Sequence, residues 1–234
     1  MKRDDATHNE TRSFPGGIAD ASGRYGFVNT VASGTVAIDL STGREIWRST
    51  SVHRPLLIIG ERVAALRATP RGLQLVLLDI ATGSETLVSA PLPLPEWVRE
   101  LWQRPDCFTI AAETGADALD LMWQARRGYE GGAPPSPKIE AQLRRSDTGQ
   151  LRVDLGSGRV QNVKKNRSLP SESDIGTVMT VTLEGRVYEL DTEPVPGGGM
   201  TRILLRSRDA SSHTPLWYLT IAEQPQQPPP PLRP

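Results

Sequence analysis

Val36-Ala-Ile-Asp-Leu-Ser-Thr-Gly-Arg-Glu-Ile-Trp-Arg-Ser49 lies over Val76-Leu-Leu-Asp-Ile-Ala-Thr-Gly-Ser-Glu-Thr-Leu-Val-Ser89 at an offset of 40 residues. Six of the fourteen positions are identical: Val36/Val76, Asp39/Asp79, Thr42/Thr82, Gly43/Gly83, Glu45/Glu85 and Ser49/Ser89. Each copy opens with a β-prone apolar run that closes on an Asp. A Thr-Gly turn follows, and an extended pattern resumes behind it. An Asp in that place accepts hydrogen bonds from backbone amides two residues on. The Gly supplies a positive φ that a residue with Cβ resists. The unit therefore reads as a strand–turn–strand hairpin with a bulged or longer loop.

Short strands that recur around a tight turn at this period are the signature of a β-propeller blade. Two weaker copies extend the series. One is Val153-Asp154-Leu155-Gly156-Ser157-Gly158-Arg159-Val160, with Ser157 standing for Thr. The other is Leu204-Leu205-Arg206-Ser207-Arg208-Asp209, followed by Pro215-Leu216-Trp217. A generic β-sandwich with recurring turn residues is the competing architecture. The fold class expected is all-β and propeller-like, with about four blades of four-stranded antiparallel sheet. So few blades leave the ring open, tightly closed or completed by a second copy.

The pattern Asp39, Thr42, Gly43, Trp47 resembles the pyrroloquinoline-quinone-type (quinoprotein-like) propeller repeat. In that family a strand closes on Asp, runs through Thr-Gly and leads to a Trp. The second copy keeps Asp79, Thr82 and Gly83 and has Leu87 at the Trp position. The resemblance implies that Trp47 buries its ring between neighbouring blades. It also raises a quinoprotein dehydrogenase as an enzyme reading. Those enzymes use more blades, commonly carry two adjacent cysteines under the cofactor, and hold calcium with carboxylates. This chain has one cysteine, Cys107, and turn geometry accounts for Asp39 and Asp79. No cofactor is expected.

Composition narrows the classes further. The chain has 234 residues, and 37% are hydrophobic. Gly 21 and Pro 20 suit many short strands joined by turns. With 27 basic and 27 acidic residues the formal net charge is zero, which argues against a nucleic-acid or anionic-membrane partner. The basic residues are Arg except Lys2, Lys138, Lys164 and Lys165, as a GC-rich genome would give. Cys107 reads as a small buried hydrophobe. No apolar core follows Met1-Lys2-Arg3-Asp4-Asp5, so no signal peptide is expected and a cytoplasmic location is.

The pass along the chain places a polar, disordered arm at 1–13, a propeller-like domain at 14–222 and a Pro-rich disordered tail at 223–234. The first blade has three clear strands, with its innermost strand missing or lying weakly in Phe14 to Asp20. Pro55-Leu56-Leu57-Ile58-Ile59 is the innermost strand of the second blade. Pro91, Pro93 and Pro95 then make a crossover. The third blade takes Cys107 to Ala112 and Leu119 to Arg127 as middle strands and carries an insertion near 128–148. Within that insertion Ile139 to Arg145 is a short helix or an extra strand. Thr177 to Leu183, Arg186 to Asp191, Met200 to Arg208 and Leu216 to Ile221 make the last blade.

Searches for catalytic patterns come back empty. His8, His53 and His213 lack metal-ligand spacing, and His53 reads as a loop residue. Gly197-Gly198-Gly199 is followed by no Lys-Ser or Lys-Thr, and no Gly-x-Ser-x-Gly elbow occurs. No catalytic, cofactor or metal residue is assigned. Trp97 and Trp102 read as core residues at a blade boundary. The leading reading is a non-enzymatic scaffold that binds an unidentified protein partner, or a small ligand, through its loops. The alternatives are a diverged quinoprotein-like enzyme or a fragment of one, and a sensor module of a larger chain. Recognition is expected on the enlarged third blade. There Arg126, Arg127, Tyr129, Arg144 and Arg145 supply aromatic and guanidinium chemistry for an interface or an anionic ligand.

Overall fold

The computed structural model of the chain describes residues 11–30, 34–102, 104, 107–127, 136–138, 145–163 and 179–225. It is all-β, with four antiparallel sheets whose strands follow one another in chain order. The first sheet holds β1 (Arg12–Phe14), β2 (Gly17–Ala19), β3 (Tyr25–Thr30), β4 (Gly34–Asp39) and β5 (Arg44–Ser49). The second holds β6 (His53–Ile59), β7 (Arg62–Thr69), β8 (Gly72–Asp79) and β9 (Glu85–Val88). A single turn of helix, α1 (Glu96–Arg99), follows it. The third holds β10 (Phe108–Thr114), β11 (Ala118–Arg127), β12 (Arg145–Asp154) and β13 (Val160–Val163). The last holds β14 (Thr180–Leu183), β15 (Arg186–Pro194), β16 (Met200–Asp209) and β17 (Pro215–Pro225). Four successive meanders of four strands, one with a fifth, are the sheet units of a propeller.

Several expectations shift. The inner strand of the first sheet is β2, and β1 adds a fifth strand beyond it, starting at Arg12. The last strand runs on to Pro225. His53 opens β6 rather than sitting in a loop. Phe108–Thr114 is the first strand of the third sheet, not a middle one. Residues 145–148 belong to β12, paired back to back with Gln124 to Arg127, so the insertion is shorter than 128–148. The stretch 139–144, read as a helix or strand, lies outside the described residues.

The chain divides into two compact units. One comprises Met1–Pro55, Ala81–Gly83 and Ile175–Pro234, and so holds the first and last sheets. Its core joins Phe14, Val36, Ile38 and Leu40 to Tyr188, Leu205 and Ile221. The other comprises Leu56–Ile80 and Ser84–Asp174. Its core is built on Leu66, Leu75, Leu77, Phe108, Leu121 and Trp123. Cys107 is buried in it, and Trp97 and Trp102 pack against it half-buried.

One turn recurs in all four sheets. Asp39 Oδ1 accepts bonds from the Ser41 amide (2.8 Å), the Ser41 hydroxyl (2.5 Å) and the Thr42 amide (3.1 Å). Asp154 and Asp209 do the same with the amides and hydroxyls of Ser157 and Ser212. The residue four positions after each Asp returns its amide to the Asp carbonyl: Gly43 at 2.8 Å, Gly158 at 2.9 Å and His213 at 3.0 Å. That residue is left-handed in every copy, with φ of 72° at Gly43, 71° at Gly83, 70° at Gly158 and 57° at His213. The fourth copy is thus a full geometric repeat in which His replaces Gly.

Behind the turn, three of the copies carry a β-bulge. Ile46, Thr86 and Leu216 are the extra residues, since the register steps from Trp47 to Glu45, from Leu87 to Glu85 and from Trp217 to Pro215. A bulge re-aims the next side chain. Here that side chain is Trp47, Leu87 or Trp217. The third sheet has no such step and carries Asn162 at the equivalent place, exposed.

The re-aimed rings land on glycines. A Cβ on Gly83 would lie 2.8 Å from Trp47 Cγ, and one on Gly43 would lie 2.6 Å from Trp217 Cγ. Trp47 also stacks on Phe27 with ring centroids 5.9 Å apart. Where Leu87 replaces the ring, backbone moves in instead: a Cβ on Gly158 would meet the Val88 carbonyl oxygen at 2.8 Å. The expected burial of Trp47 against a neighbouring hairpin is therefore found, with the ring half-buried.

Candidate partner-binding surface

The third sheet brings part of the predicted arginine set together. β11 and β12 run antiparallel to their ends, where Arg127 stands directly opposite Arg145 and Arg126 opposite Ser146. Side chains alternate along a strand, so Arg127 and Arg145 share a face and Arg126 points to the other. All three are exposed. The Arg126 amide donates to the Cys107 carbonyl at 2.7 Å, which ties the end of β11 to the entry of β10. The carboxylate of Glu100, just past α1, stands 3.6 Å from Arg127 Nη1. Tyr129 and Arg144 lie outside the described residues. Like charges directly opposite in an antiparallel pair are destabilising, and a single exposed carboxylate offsets them only partly.

A second charged surface, unforeseen in the sequence, lies on the last sheet. Glu189, Asp191 and Glu193 alternate along β15, and Arg202, Arg206 and Arg208 do so along β16. They interlock as Arg208–Glu189 (3.3 Å), Arg206–Asp191 (2.7 Å) and Arg202–Glu193 (3.2 Å), and Arg202 also reaches Glu223 at 3.1 Å. The two bonds to Arg202 from Glu223 and Glu193 raise its already high pKa further. The signal in the sequence is the alternation of charge with period two in two adjoining strands.

The carbonyl of Leu40 ties the first and last sheets together. The oxygen of Leu40 accepts from Arg186 Nη1 (2.8 Å), Trp217 Nε1 (3.2 Å) and Tyr188 Oη (3.4 Å). Burial pushes the Tyr188 hydroxyl pKa up. The bulge at Ile221, which has no opposite residue between Thr220 and Ala222, leaves a carbonyl that Arg48 Nη1 caps at 2.8 Å. Glu45 holds the same guanidinium from the other side. These polar groups are absorbed in holding sheets together.

Among the described residues no group of three His, Cys, Asp or Glu side chains could hold a metal ion. Among them also, no helix is long and apolar enough to cross a membrane.

No family model matches the chain, and no curated protein sequence matches it. Distant likenesses exist among solved structures. BamB from Moraxella catarrhalis aligns over 90% of this chain and 75% of its own at 15% identity, with a TM-score of 0.32. The computationally designed Ika8 protein aligns over 89% of this chain and 48% of its own at 10% identity, also with a TM-score of 0.32. Kluyveromyces lactis Hsv2 aligns over 86% of this chain and 61% of its own at 8% identity, with a TM-score of 0.24.

Proposed function

We propose that the protein is a non-enzymatic scaffold of propeller-type blades that captures an acidic protein segment through the arginines where β11 ends and β12 begins. The observation that carries this reading is the juxtaposition of Arg127 with Arg145 in one register. Two arginines set directly opposite each other at an exposed strand end are costly for the free protein and well suited to carboxylates, which each guanidinium can bind through two parallel bonds. Arg126 presents a further guanidinium on the opposite face of the same strand end. Loops and strand ends on a rigid sheet are where recognition normally sits.

Affinity capture with the full chain tests the reading. A partner retained by the wild type should be lost from an Arg126→Ala/Arg127→Ala/Arg145→Ala variant and released as ionic strength rises, with the melting temperature held or raised. Arg145→Glu alone should stabilise the fold by about 0.2–1 kcal/mol, since it sets an acid opposite Arg127, while abolishing capture. Retention of every partner by both variants would move the binding site elsewhere.

A further inference from the structure

The charged face of the last sheet is laid out as a grid. β15, β16 and β17 stand in register, so Glu189, Arg206 and Tyr218 form one row and Glu193, Arg202 and Glu223 another. Between them runs a row of shorter side chains, in which Leu204 is only 3% exposed and is flanked by Asp191 and Thr220. Residues paired across strands share a face, and those between them point the other way. Tyr188, Leu205 and Trp217 are on that other face, in the core shared with the first sheet. A groove of about 860 Å³ lies over Glu189, Glu193, Arg202, Leu204, Arg206 and Tyr218, the size of a small-molecule site. Three rows two residues apart span about 13 Å along the strands.

The floor of this groove is polar, planar and held in place. Arg206 Nη1 stands 2.7 Å from Asp191 and its Nη2 3.5 Å from Glu193. Arg202 is gripped by Glu193 and Glu223, and Arg208 by Glu189. A guanidinium carries five N–H groups and a carboxylate about four lone-pair sites, more than these pairs consume. Donors and acceptors therefore remain side by side, on side chains that are all partly open to solvent. At the end of one row, directly opposite Arg206, stands the ring of Tyr218, 74% exposed.

We propose that this groove binds a short, neutral oligosaccharide, with one sugar ring on Tyr218 and its neighbours over the ladder. A pyranose presents C–H groups on its faces, and these sit well on the negative face of an aromatic ring. Its vicinal hydroxyls each donate and accept, as the mixed carboxylate and guanidinium floor requires. Charge selects a neutral ligand. An anion meets four carboxylates, Glu189, Asp191, Glu193 and Glu223, and a cation meets three guanidinium groups, Arg202, Arg206 and Arg208. Either would have to displace a partner that is already in place. An apolar segment would strip water from the whole ladder and offer it no hydrogen bonds in return. A sugar chain replaces that water with hydroxyls and leaves every ion pair intact.

Titration calorimetry of the full chain with maltopentaose, cellopentaose and chitopentaose tests this. The three are neutral and differ in linkage and curvature. At least one should bind with a Kd of about 1 mM or tighter, and its affinity should hardly change with ionic strength. Tyr218→Ala should weaken that binding by about tenfold, with the melting temperature unchanged because the ring is too exposed to be needed for the fold. Tyr218→Phe should retain it, since the ring face and not the hydroxyl makes the contact. Failure of all three sugars to bind overturns the proposal. So does binding that Tyr218→Ala leaves intact or Tyr218→Phe abolishes, and so does a tighter hold on an anionic chain, a pentamer of galacturonic acid, than on any of the three.

Discussion

Gly43 lies so close under the indole of Trp217 that a Cβ at that position would stand 2.6 Å from the ring Cγ. The same residue holds a φ of 72°. Two costs therefore meet in Gly43→Ala: left-handed strain of about 1–2 kcal/mol, and a displaced ring that adds about 1–3 kcal/mol. Gly185 separates them, since it has a φ of 73° and nothing within 4 Å of its missing Cβ. Gly185→Ala should show the strain alone. Chemical denaturation of both variants measures the difference, and equal losses would mean that Trp217 moves aside freely.

Trp47 docks on Gly83 and Phe27 while remaining half-buried. Trp47→Ala should cost about 3 kcal/mol, the lower end for loss of a large ring. A thermal melt of the variant checks it. An unchanged midpoint would show that the hairpin turn at Gly83 holds without the ring.

His213 sits where the other copies have glycine, with a φ of 57° and an exposed side chain. His213→Gly should remove the left-handed strain and stabilise the fold by about 0.5–1 kcal/mol, after the entropy that glycine adds to the unfolded chain. Thr214→Gly, at a neighbouring exposed position, should not stabilise. A lower melting midpoint for His213→Gly would mean that the imidazole makes a contact worth more than the strain.

The turn aspartates predict acid sensitivity. The Ser41 hydroxyl holds the Asp39 carboxyl below its ordinary range, the Ser157 hydroxyl does so for Asp154, and the Ser212 amide for Asp209. Folded carboxyls that ionise at lower pH than unfolded ones leave the unfolded chain binding more protons between the two values. Their contribution is complete above the ordinary Asp range and is lost as pH falls through it towards the folded values. Melting temperature should therefore drop below about pH 4. The slope should be shallower in an Asp39→Asn/Asp154→Asn/Asp209→Asn variant. An identical slope in that variant would assign the acid loss to other carboxylates.

The first two copies of the repeat were legible because Asp, Thr and Gly each answer a separate demand of one turn. The fourth copy was legible only as a run ending in Asp209 and a later Trp217. A histidine that adopts a left-handed φ leaves no compositional trace. The strand β1 was hidden by its length and β2 showed only faintly within Phe14 to Asp20, since three residues cannot display a period. The start of β12 was hidden by polarity: Arg145-Ser-Asp-Thr-Gly-Gln150 reads as a loop. Yet Gly149 is a strand residue opposite Trp123, whose indole occupies the space that a Cβ would need. The pairing of Arg127 with Arg145 follows from that register, which no local pattern encodes.

The Leu40 carbonyl, which gathers Arg186, Tyr188 and Trp217, also sets an order of events during synthesis. Its donors lie 146, 148 and 177 positions downstream. As the chain leaves the ribosome, the first hairpin emerges with that oxygen and Gly43 still bare, and no local contact can cover them. The unit that ends at Asp174 has its whole core available before β17 has been made. The part of the protein that begins first must finish last, so truncated products ending before Trp217 should be recognised as incomplete by their open first turn.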